Sequence, residues 1–416
     1  MFNYLRKKVY KILRKTEKYT KTDNVYLAKG GFWLIFKQIG GTITALLLAM
    51  LWARFVPKEI YGQYKFIISI AGFLIIFSLP GMSTAITRSV ARNFEGTVKL
   101  ALKTKLKWST LAAISGFFLA FYYGWRGNQI LSISFLIVGI LSPFVNSFTV
   151  HGDYLAGKKR FGLQAKYNLA SNFLAALATA IAIFLTKNVV YLILVYFVSR
   201  AVLHILFYLS VLKKIPPNKN IDPEAVTYGK HLSLIAVLGQ IATHIDQILV
   251  FHFLGAVELA VYSFAILVPN QIKTLAKYIE HLALPKFSVR NSKELKKTVL
   301  SKTIRMGIFL TTGVILYLLF AGLIFKIFFP NYIDSVVYSR IYSLALLGMI
   351  TAVPEVIFWA KAKTKIIYTY SIFGDLTKIL IIFISLYYFG LMGLVVGLVI
   401  HRFISTVFIF FMLRYL

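Results

Sequence analysis

Twelve apolar stretches, each close to 20 residues long, constrain this chain more than any other feature of its sequence. A helix needs about 20 mostly apolar residues to cross the hydrocarbon core of a bilayer. The sequence therefore predicts an all-α polytopic membrane protein. Its spans are expected near residues 31–54, 62–86, 108–125, 129–151, 167–186, 189–212, 232–254, 257–280, 307–328, 335–360, 367–388 and 391–413.

The composition excludes several other classes of protein. Hydrophobic residues make up 58% of the chain and charged residues 15%, whereas soluble domains carry about 25% charged residues. The excess of 47 Lys and Arg over 14 Asp and Glu would indicate a nucleic-acid partner in a soluble protein. In a chain this apolar we expect no such partner. The absence of cysteine excludes disulfides, thiolate metal sites and cysteine catalysis.

The distribution of the cations predicts the orientation. Lys and Arg number 36 in the two termini and the loops on their side of the membrane. The opposite turns hold six, namely Arg54, Lys58, Lys65, Arg126, Lys187 and Lys326. Positive charge accumulates on the cytoplasmic side, so we expect a multi-pass protein of the cell membrane with both termini in the cytoplasm. The basic segment 1–30 is interpreted either as an interfacial helix on anionic lipids or as a disordered positive tail.

An internal repeat at an offset of 198 residues predicts two lobes. Tyr64 repeats as Tyr262, and the polar pair Arg92-Asn93 repeats as Arg290-Asn291. Because six spans are an even number, the two copies share one orientation, and their pseudo-axis runs along the membrane normal. Transporters built in this way bind substrate between their lobes. The predicted division is an N-lobe at 31–212, a linker at 213–231 and a C-lobe at 232–416.

Basic residues inside the spans are candidates for a substrate site, because a charge in a bilayer is costly unless it is used. Arg200 and Arg402 lie at the centres of spans 6 and 12, which correspond in the repeat. Lys378 lies near the centre of span 11, and Lys37 lies two turns into span 1. These residues predict a cationic cavity for an anion between the lobes. In the alternative interpretation, Lys37 snorkels to the interface and Lys378 neutralises Asp375 one turn away.

The acids that we assign to mid-span positions are Asp246, Glu355 and Asp375, so that the first lobe has none. Asp246 is predicted either to couple transport to Na⁺ or H⁺, with Asp375 as a second coupling candidate, or to pair with a cavity arginine. The scattered histidines form no metal pattern, and no catalytic motif is present. We therefore expect a transporter rather than an enzyme, with no cofactor apart from a coupling ion.

Three stretches resemble lipid-linked oligosaccharide flippases, the polysaccharide-transport branch of the multidrug/oligosaccharidyl-lipid/polysaccharide (MOP) exporter superfamily. The first covers the two opening helices and includes Arg54, the Gly62-Gln63-Tyr64 turn and a helix that ends at Arg88. The second is IDQILVFHFLGAVELAVYSFA, with Asp246 in the family's acidic position. The third is the basic turn YLAGKKRFGLQAKYN.

The resemblance implies a MOP exporter-like fold and transfer of a polyprenyl-(pyro)phosphate-linked oligosaccharide to the outer leaflet by a monomeric transporter unit. It implies cavity roles for Lys37, Arg54 and Arg88 and a coupling role for Asp246. An ion-coupled drug antiporter of the same fold is the first alternative, disfavoured by the lack of an acid in lobe one. A membrane glycosyltransferase or polymerase is disfavoured by short loops and missing acid pairs, and a non-transporting scaffold or scramblase stays open.

Overall fold

The computed structural model describes residues 24–288, 292–361 and 363–415. Residues 1–23 of the basic segment predicted at 1–30 lie outside this part of the chain, as does the repeated pair Arg290-Asn291. The described residues form helices and connecting turns, with no β-strand among them. The all-α class predicted from the sequence is confirmed.

Eight helices build the first half of the molecule. They are α1 (Asn24–Phe55), α2 (Lys58–Phe73), α3 (Met82–Ala91), α4 (Thr97–Trp125), α5 (Gln129–Ser147), α6 (Val150–Gly157), α7 (Phe161–Leu185) and α8 (Val189–Lys214). Six more build the second half. They are α9 (Ala225–Leu254), α10 (Ala256–Ser288), α11 (Ser292–Phe328), α12 (Ser335–Ser343), α13 (Ala352–Ala360) and α14 (Thr364–Met412).

Every predicted span falls on a helix or a pair of consecutive helices. Nine helical segments within the described residues are long and apolar enough to cross a membrane. The longest of them, α14, covers two predicted spans and is broken at Gly390, whose φ of 59° lies in the left-handed region that favours glycine. The spans predicted at 108–125 and 257–280 lie on α4 and α10. The chain is a multi-pass membrane protein.

Three of the spans are broken internally. The second span consists of α2, a 3₁₀ turn at Leu74–Ser78, and α3 after Leu79, which has a φ of 51°. The fourth consists of α5 and α6, and the tenth of α12, a 3₁₀ segment at Leu344–Thr351, and α13. Such breaks release backbone groups that neighbouring helices must satisfy. They also mean that counting residues no longer gives depth along these spans.

The outer surface is apolar, as contact with lipid requires. Large hydrophobic side chains point away from the bundle along its length, and Phe118, Phe121, Phe309 and Tyr388 are between 67% and 73% exposed. A soluble protein rarely exposes apolar surface of this extent. The bundle therefore presents lipid-facing helices on its outside.

Among the described residues, one large buried apolar cluster joins the two lobes at one end of the bundle. We call the end that holds Pro57, Gly255 and Asp334 the hairpin end, and the end that holds residues 215–224 the linker end. At the hairpin end one buried cluster joins the lobes, and its members include Trp52, Tyr61, Phe264, Tyr332 and Leu394. Towards the linker end each lobe has a separate cluster, around Met82 and Tyr154 in the first and around Leu310 and Met349 in the second.

Helix α9 lies between the lobes. Its linker half packs on α3, where the Gly81 amide donates to Ser233 Oγ at 2.9 Å. Its hairpin half packs on α2 of the first lobe and on α14 of the second. The non-helical linker spans residues 215–224, inside the predicted range of 213–231. The exact lobe bounds stay a prediction.

Candidate functional site

A cavity of about 350 Å³ lies within the second lobe. It is enclosed by helices α9, α10 and α14 together with the broken tenth span. Its lining includes Thr243, Asp246, Asn270, Lys273, Tyr342, Tyr370, Asp375, Lys378, His401, Arg402 and Ser405. Four residues that the sequence singled out for separate reasons, Asp246, Asp375, Lys378 and Arg402, therefore meet in one cavity.

Asp246 is held in the wall of this cavity by its neighbours. The Tyr262 hydroxyl donates to Asp246 Oδ2 at 2.6 Å, and the Gln247 amide donates to Oδ1 at 2.9 Å. Asp246 is 6% exposed and Tyr262 is fully buried. These two hydrogen bonds fix the position of the carboxylate at the edge of the cavity.

Lys378 and Asp375 line the cavity without forming a direct ion pair. Lys378 Nζ donates to the Ala242 carbonyl of α9. Within the described part of the chain, the ion pairs closer than 4 Å are Lys58–Asp334, Arg92–Asp222 and Lys158–Glu95, and none of them lies in the cavity. The charge of Lys378 nevertheless acts on Asp375, so the alternative in which the two neutralise each other stays a prediction.

Arg402 reaches the cavity over a glycine of the broken tenth span. A Cβ atom at Gly348 would lie 2.4 Å from Arg402 Cγ, so the arginine stem rests directly on this backbone. Next to it, His401 Nε2 lies 2.9 Å from the Gly374 carbonyl and 3.1 Å from Ser405 Oγ. The guanidinium is thus positioned by the 3₁₀ segment Leu344–Thr351 rather than by an acidic partner.

The first lobe contains a second buried charged group. Lys105 is 3% exposed, and its Nζ contacts Thr149 Oγ1 at 3.5 Å. The Asp153 carboxylate faces Lys105, Lys37 and His151, and its Oδ2 is buried with no hydrogen-bond partner in the described structure. Asp153 therefore gives the first lobe an acid inside the bundle, near the end of its span, that the sequence did not single out. Asp153 lies on α6, beyond the break after α5, just outside the span that the sequence predicted to end at 151.

Arg200 also faces the interior of the first lobe. Its guanidinium lies 4.6 Å from the centroid of the Tyr196 ring, and its Nε is buried without a hydrogen-bond partner among the described residues. The charge of Arg200 also acts on the hydroxyl of the buried Tyr64. Tyr64 corresponds to Tyr262 in the repeat, so the two lobes present equivalent tyrosines to charges of opposite sign.

Lys65 lies inside the bundle and not in an outer turn as predicted. It belongs to α2, and Asp246 of the second lobe is the charged residue that acts on it. One turn along α2, Ser69 Oγ donates to Gln247 Oε1 at 2.5 Å. Lys65 is thus an interior cation at the contact between the lobes, and the available signal was its position three residues inside the predicted second span.

Polar contacts close the hairpin end between the lobes. Arg54 is exposed and donates to the Ile327 carbonyl at 2.7 Å, and Asn331 Nδ2 donates to the Ala53 carbonyl at 2.9 Å. Lys58 Nζ and Asp334 form an ion pair at 2.7 Å. Arg54 therefore lies outside the cavity in this structure, and its predicted role in substrate binding stays a prediction.

Arg88 lies at the linker end, where the first lobe holds the linker. It is exposed, and its guanidinium lies 4.8 Å from the centroid of the Tyr228 ring on α9. Nearby, Ser89 Oγ donates to Asp222 Oδ2 at 2.7 Å, and Lys158 Nζ donates to Glu95 Oε1 at 2.5 Å. The Ser89 hydrogen bond lowers the pKa of Asp222 against the opposing effect of burial. Burial also raises the pKa of Glu95, but its hydrogen bonds from Lys158 and Asn218 outweigh this and lower it.

The comparisons with known proteins agree on both family and fold. The family described as "Polysaccharide biosynthesis protein" matches residues 27–288. A putative O-antigen transporter of Shigella flexneri is 22% identical over 374 residues, which cover 82% of this chain and 86% of that protein.

Two solved structures show the same fold at 16% sequence identity. An inward-facing multidrug resistance MATE family transporter of the MOP superfamily superposes with a TM-score of 0.71, over 90% of this chain and 94% of its own. The lipid II flippase MurJ in an inward closed conformation superposes with a TM-score of 0.66, over 93% of this chain and 87% of its own. The predicted MOP exporter-like fold of two lobes is confirmed.

Proposed function

The chain belongs to the polysaccharide biosynthesis protein family, and from this we propose that it is a flippase for a polyprenyl-(pyro)phosphate-linked oligosaccharide. The substrate would move from the cytoplasmic to the outer leaflet, for the synthesis of a cell-surface polysaccharide or glycoconjugate. The relative named as a putative O-antigen transporter and the fold shared with a lipid II flippase support this substrate class. Both of those proteins are described as carriers rather than enzymes.

The observation that carries the proposal is the set of cations that face the interior of a lipid-facing bundle. Lys37, Lys105 and Arg200 face the interior of the first lobe, and Lys378 and Arg402 line the cavity of the second. A charge at this depth is costly unless it serves a substrate or a pathway. The planar guanidinium is suited to bidentate contact with phosphate. A pyrophosphate carrying a glycan fits this arrangement better than an uncharged substrate does.

The closed hairpin end supports entry from the linker end. The ties of Arg54, Lys58 and Asn331 shut one end, while the apolar cores of the lobes separate towards the other. With the linker end in the cytoplasm, as the cation distribution favours, we infer that this is the state that accepts substrate from the cytoplasmic leaflet. Arg88 at this end is placed to meet an entering phosphate. Both termini then lie in the cytoplasm.

A coupling cation fits the second lobe. Asp246, Asp375, Thr243 and Asn270 bring carboxylate, hydroxyl and amide oxygens to one cavity, and transporters hold Na⁺ or H⁺ at such mid-membrane sites. We infer that Asp246 and Asp375 form the coupling site and that no other cofactor is needed. The remaining inferences are a monomeric unit in the cell membrane and contact of the basic segment 1–30 with anionic lipids.

An ion-coupled antiporter of the same fold is the second candidate, and Asp153 is the observation that favours it. A carboxylate inside the first lobe removes the reason for which the sequence disfavoured such an exporter. However, Lys105 and Lys37 both face Asp153, and Arg200 adds a further positive charge to the same lobe. A lobe with excess positive charge repels the cationic compounds that a drug antiporter would carry, so the flippase remains the better fit.

Complementation of a flippase-deficient strain tests the proposal. Cells that lack their own flippase would express this chain, and the leaflet that holds the lipid-linked glycan would be determined with a membrane-impermeant reagent that modifies sugars. We expect the glycan to become accessible from outside. If it stays on the cytoplasmic side while the protein is abundant in the membrane, and if the cells instead gain resistance to cationic drugs, the antiporter is supported and the flippase is contradicted.

A further inference from the structure

Lys65 is a half-buried cation that the proposed function leaves without a role. It lies on α2 of the first lobe, about 10 Å along the helix from Lys58 at the hairpin end at 1.5 Å per residue. Its surroundings belong to the second lobe, because α2 packs against α9 and α10. A lysine in such an interior contact needs an opposite charge, and Asp246 is the acid that acts on it.

Asp246 faces both the cavity and the contact between the lobes. It lines the cavity together with Thr243, Asn270 and Asp375. From α10 it accepts the hydrogen bond of Tyr262 at 2.6 Å. From α2 it experiences the charge of Lys65, although the two are not within the 4 Å of a direct ion pair. Binding of a cation to Asp246 in the cavity would therefore alter the electrostatic interaction between Asp246 and Lys65 of α2.

Neutral contacts fix the distance between the two helices at this point. Ser69 lies one turn from Lys65 and donates to Gln247, the neighbour of Asp246, at 2.5 Å. Farther along α2, a Cβ atom at Gly72 would lie 2.5 Å from the His244 ring, so α2 and α9 approach closely there too. The separation of Lys65 and Asp246 is thus set by helix packing and not by the two charges alone.

We propose that Lys65 senses the occupancy of Asp246 across the contact between the lobes. When Na⁺ or a proton binds Asp246, the carboxylate no longer balances Lys65, and the half-buried lysine loses its opposite charge at the contact between the lobes. Separation of α2 from α9 at the hairpin end relieves this state by exposing Lys65 to water. Cation binding therefore favours opening of the hairpin end. The inference rests on the proposed coupling role of Asp246 and adds the residue that transmits it.

Linkage makes the effect reciprocal. If the bound cation weakens the closed state through Lys65, then Lys65 weakens cation binding in the closed state. Replacement of Lys65 by a neutral residue should therefore increase the affinity for the cation, which a lysine with a purely structural role would not predict. Several other groups contribute to the potential at Asp246. On the helices around it they are His244, Tyr262, Lys273, Tyr342, Asp375, Lys378, His401 and Arg402.

The absence of cysteine makes a direct test practical. Lys58 and Asp334 face each other across the hairpin end at 2.7 Å between side chains. In a variant with both Lys58→Cys and Asp334→Cys, a short bis-maleimide would join the two positions in membrane vesicles. The yield of cross-linked protein reports closure of the hairpin end and requires no substrate. It would be measured against Na⁺ at constant pH with choline as the replacement ion, and against pH without Na⁺.

We expect the yield to fall as the effective cation increases, and the two titrations identify which cation acts. Lys65→Met and Lys65→Gln should abolish the fall, Lys65→Arg should retain it, and Asp246→Asn should keep the yield low without any cation. A Lys65→Met yield that still falls over the same range would overturn the proposal, as would a parent protein that responds to neither cation. A Lys65→Met chain that fails to fold leaves Lys65→Gln to decide.

This experiment separates the inference from the proposed function. A parent protein whose yield responds to the cation, but which moves no lipid-linked glycan in the complementation test, would contradict the flippase and retain the role of Lys65. Transport without any cation response in the cross-linking yield would retain the flippase and contradict the role of Lys65.

Discussion

The Tyr262 hydroxyl donates a 2.6 Å hydrogen bond to the carboxylate of Asp246, and both side chains are buried. The bond joins α9 to α10 at the edge of the charged cavity in the second lobe. It fixes where the negative charge of Asp246 lies between the cavity on one side and Lys65 on the other. The contribution of this bond to stability can be measured against a tyrosine that lacks such a partner.

We expect Tyr262→Phe to lower the free energy of unfolding by about 1.5–3 kcal/mol, because it removes one of the two hydrogen-bond donors of a buried carboxylate. Tyr332→Phe is the matched control. Tyr332 is also fully buried, but its hydroxyl has no hydrogen-bond partner among the described residues. Its replacement should leave the melting temperature in detergent unchanged or higher. Equal losses in both variants would show that the Asp246 bond contributes nothing specific.

Arg200→Ala and Arg402→Ala should each reduce transfer of lipid-linked glycan without reducing the amount of protein in the membrane. Loss of one charge-assisted hydrogen bond to a phosphate corresponds to about a tenfold reduction or more. Arg126→Ala is the control, because Arg126 is exposed at the hairpin end and stacks on Tyr122. Undiminished transfer in both test variants would remove these arginines from the substrate site.

Gly348→Ala should impair transfer in the same way as Arg402→Ala. A Cβ atom at this position would lie 2.4 Å from Arg402 Cγ and would push the guanidinium out of its place in the cavity. Gly313→Ala is a matched control in α11, since nothing lies within 4 Å of its Cβ position. Transfer assays with equal amounts of protein would check this. Normal transfer by Gly348→Ala would indicate that the exact position of Arg402 is unimportant.

Acid should release the linker from the first lobe. The pKa values of Glu95 and Asp222 are lowered in the folded protein, so these carboxylates stabilise the linker contact fully above their unfolded pKa values, which are about 4. The stabilisation is lost as the pH falls through the lower, folded values. Limited proteolysis within residues 215–224, with a protease active in acid, should therefore accelerate below about pH 4.

Glu95→Gln tests this assignment of the acid effect. It removes one titrating group while keeping the shape of the side chain, so cleavage should be faster near neutral pH and should depend less on pH. Glu59 is a suitable comparison because it lies at the opposite, hairpin end of the bundle. Glu59→Gln should leave the pH profile of cleavage as it is in the parent protein. A parent profile that is flat in acid would contradict the role of the carboxylates.

Hydropathy was sufficient to predict the helices, because crossing a bilayer imposes the same length on each of them. Every predicted span lies on a helix, and the repeat correctly indicated two lobes of one fold. The same length rule could not place residues in depth where a span is broken. Span 4 breaks after Ser147 and continues as α6, so the predicted end at 151 excluded Asp153. Lys65 was misplaced for another reason, because α2 begins at Lys58 and not at residue 62, where the span was predicted to begin.

The charged residues that the sequence singled out lie at several places in the structure and do not form one site. Asp246, Asp375, Lys378 and Arg402 do meet in one cavity, because α9 and α14 are neighbours in the second lobe. Lys37 and Arg200 face the interior of the other lobe, while Arg54 and Arg88 lie at opposite ends of the bundle. Which helices are neighbours depends on tertiary packing, and hydropathy carries no information about it.

The attachment of the linker limits how the lobes can travel. Asp222 is held on the first lobe at two points. Its carboxylate accepts a hydrogen bond from Ser89 Oγ, and its backbone amide donates to Thr97 Oγ1 at 2.9 Å. Helix α9 begins at Ala225, so the free tether is about three residues, or roughly 10 Å when extended. A tether this short forbids a large translation of one lobe past the other at the linker end. We expect the second lobe instead to rotate about a hinge at the first turn of α9.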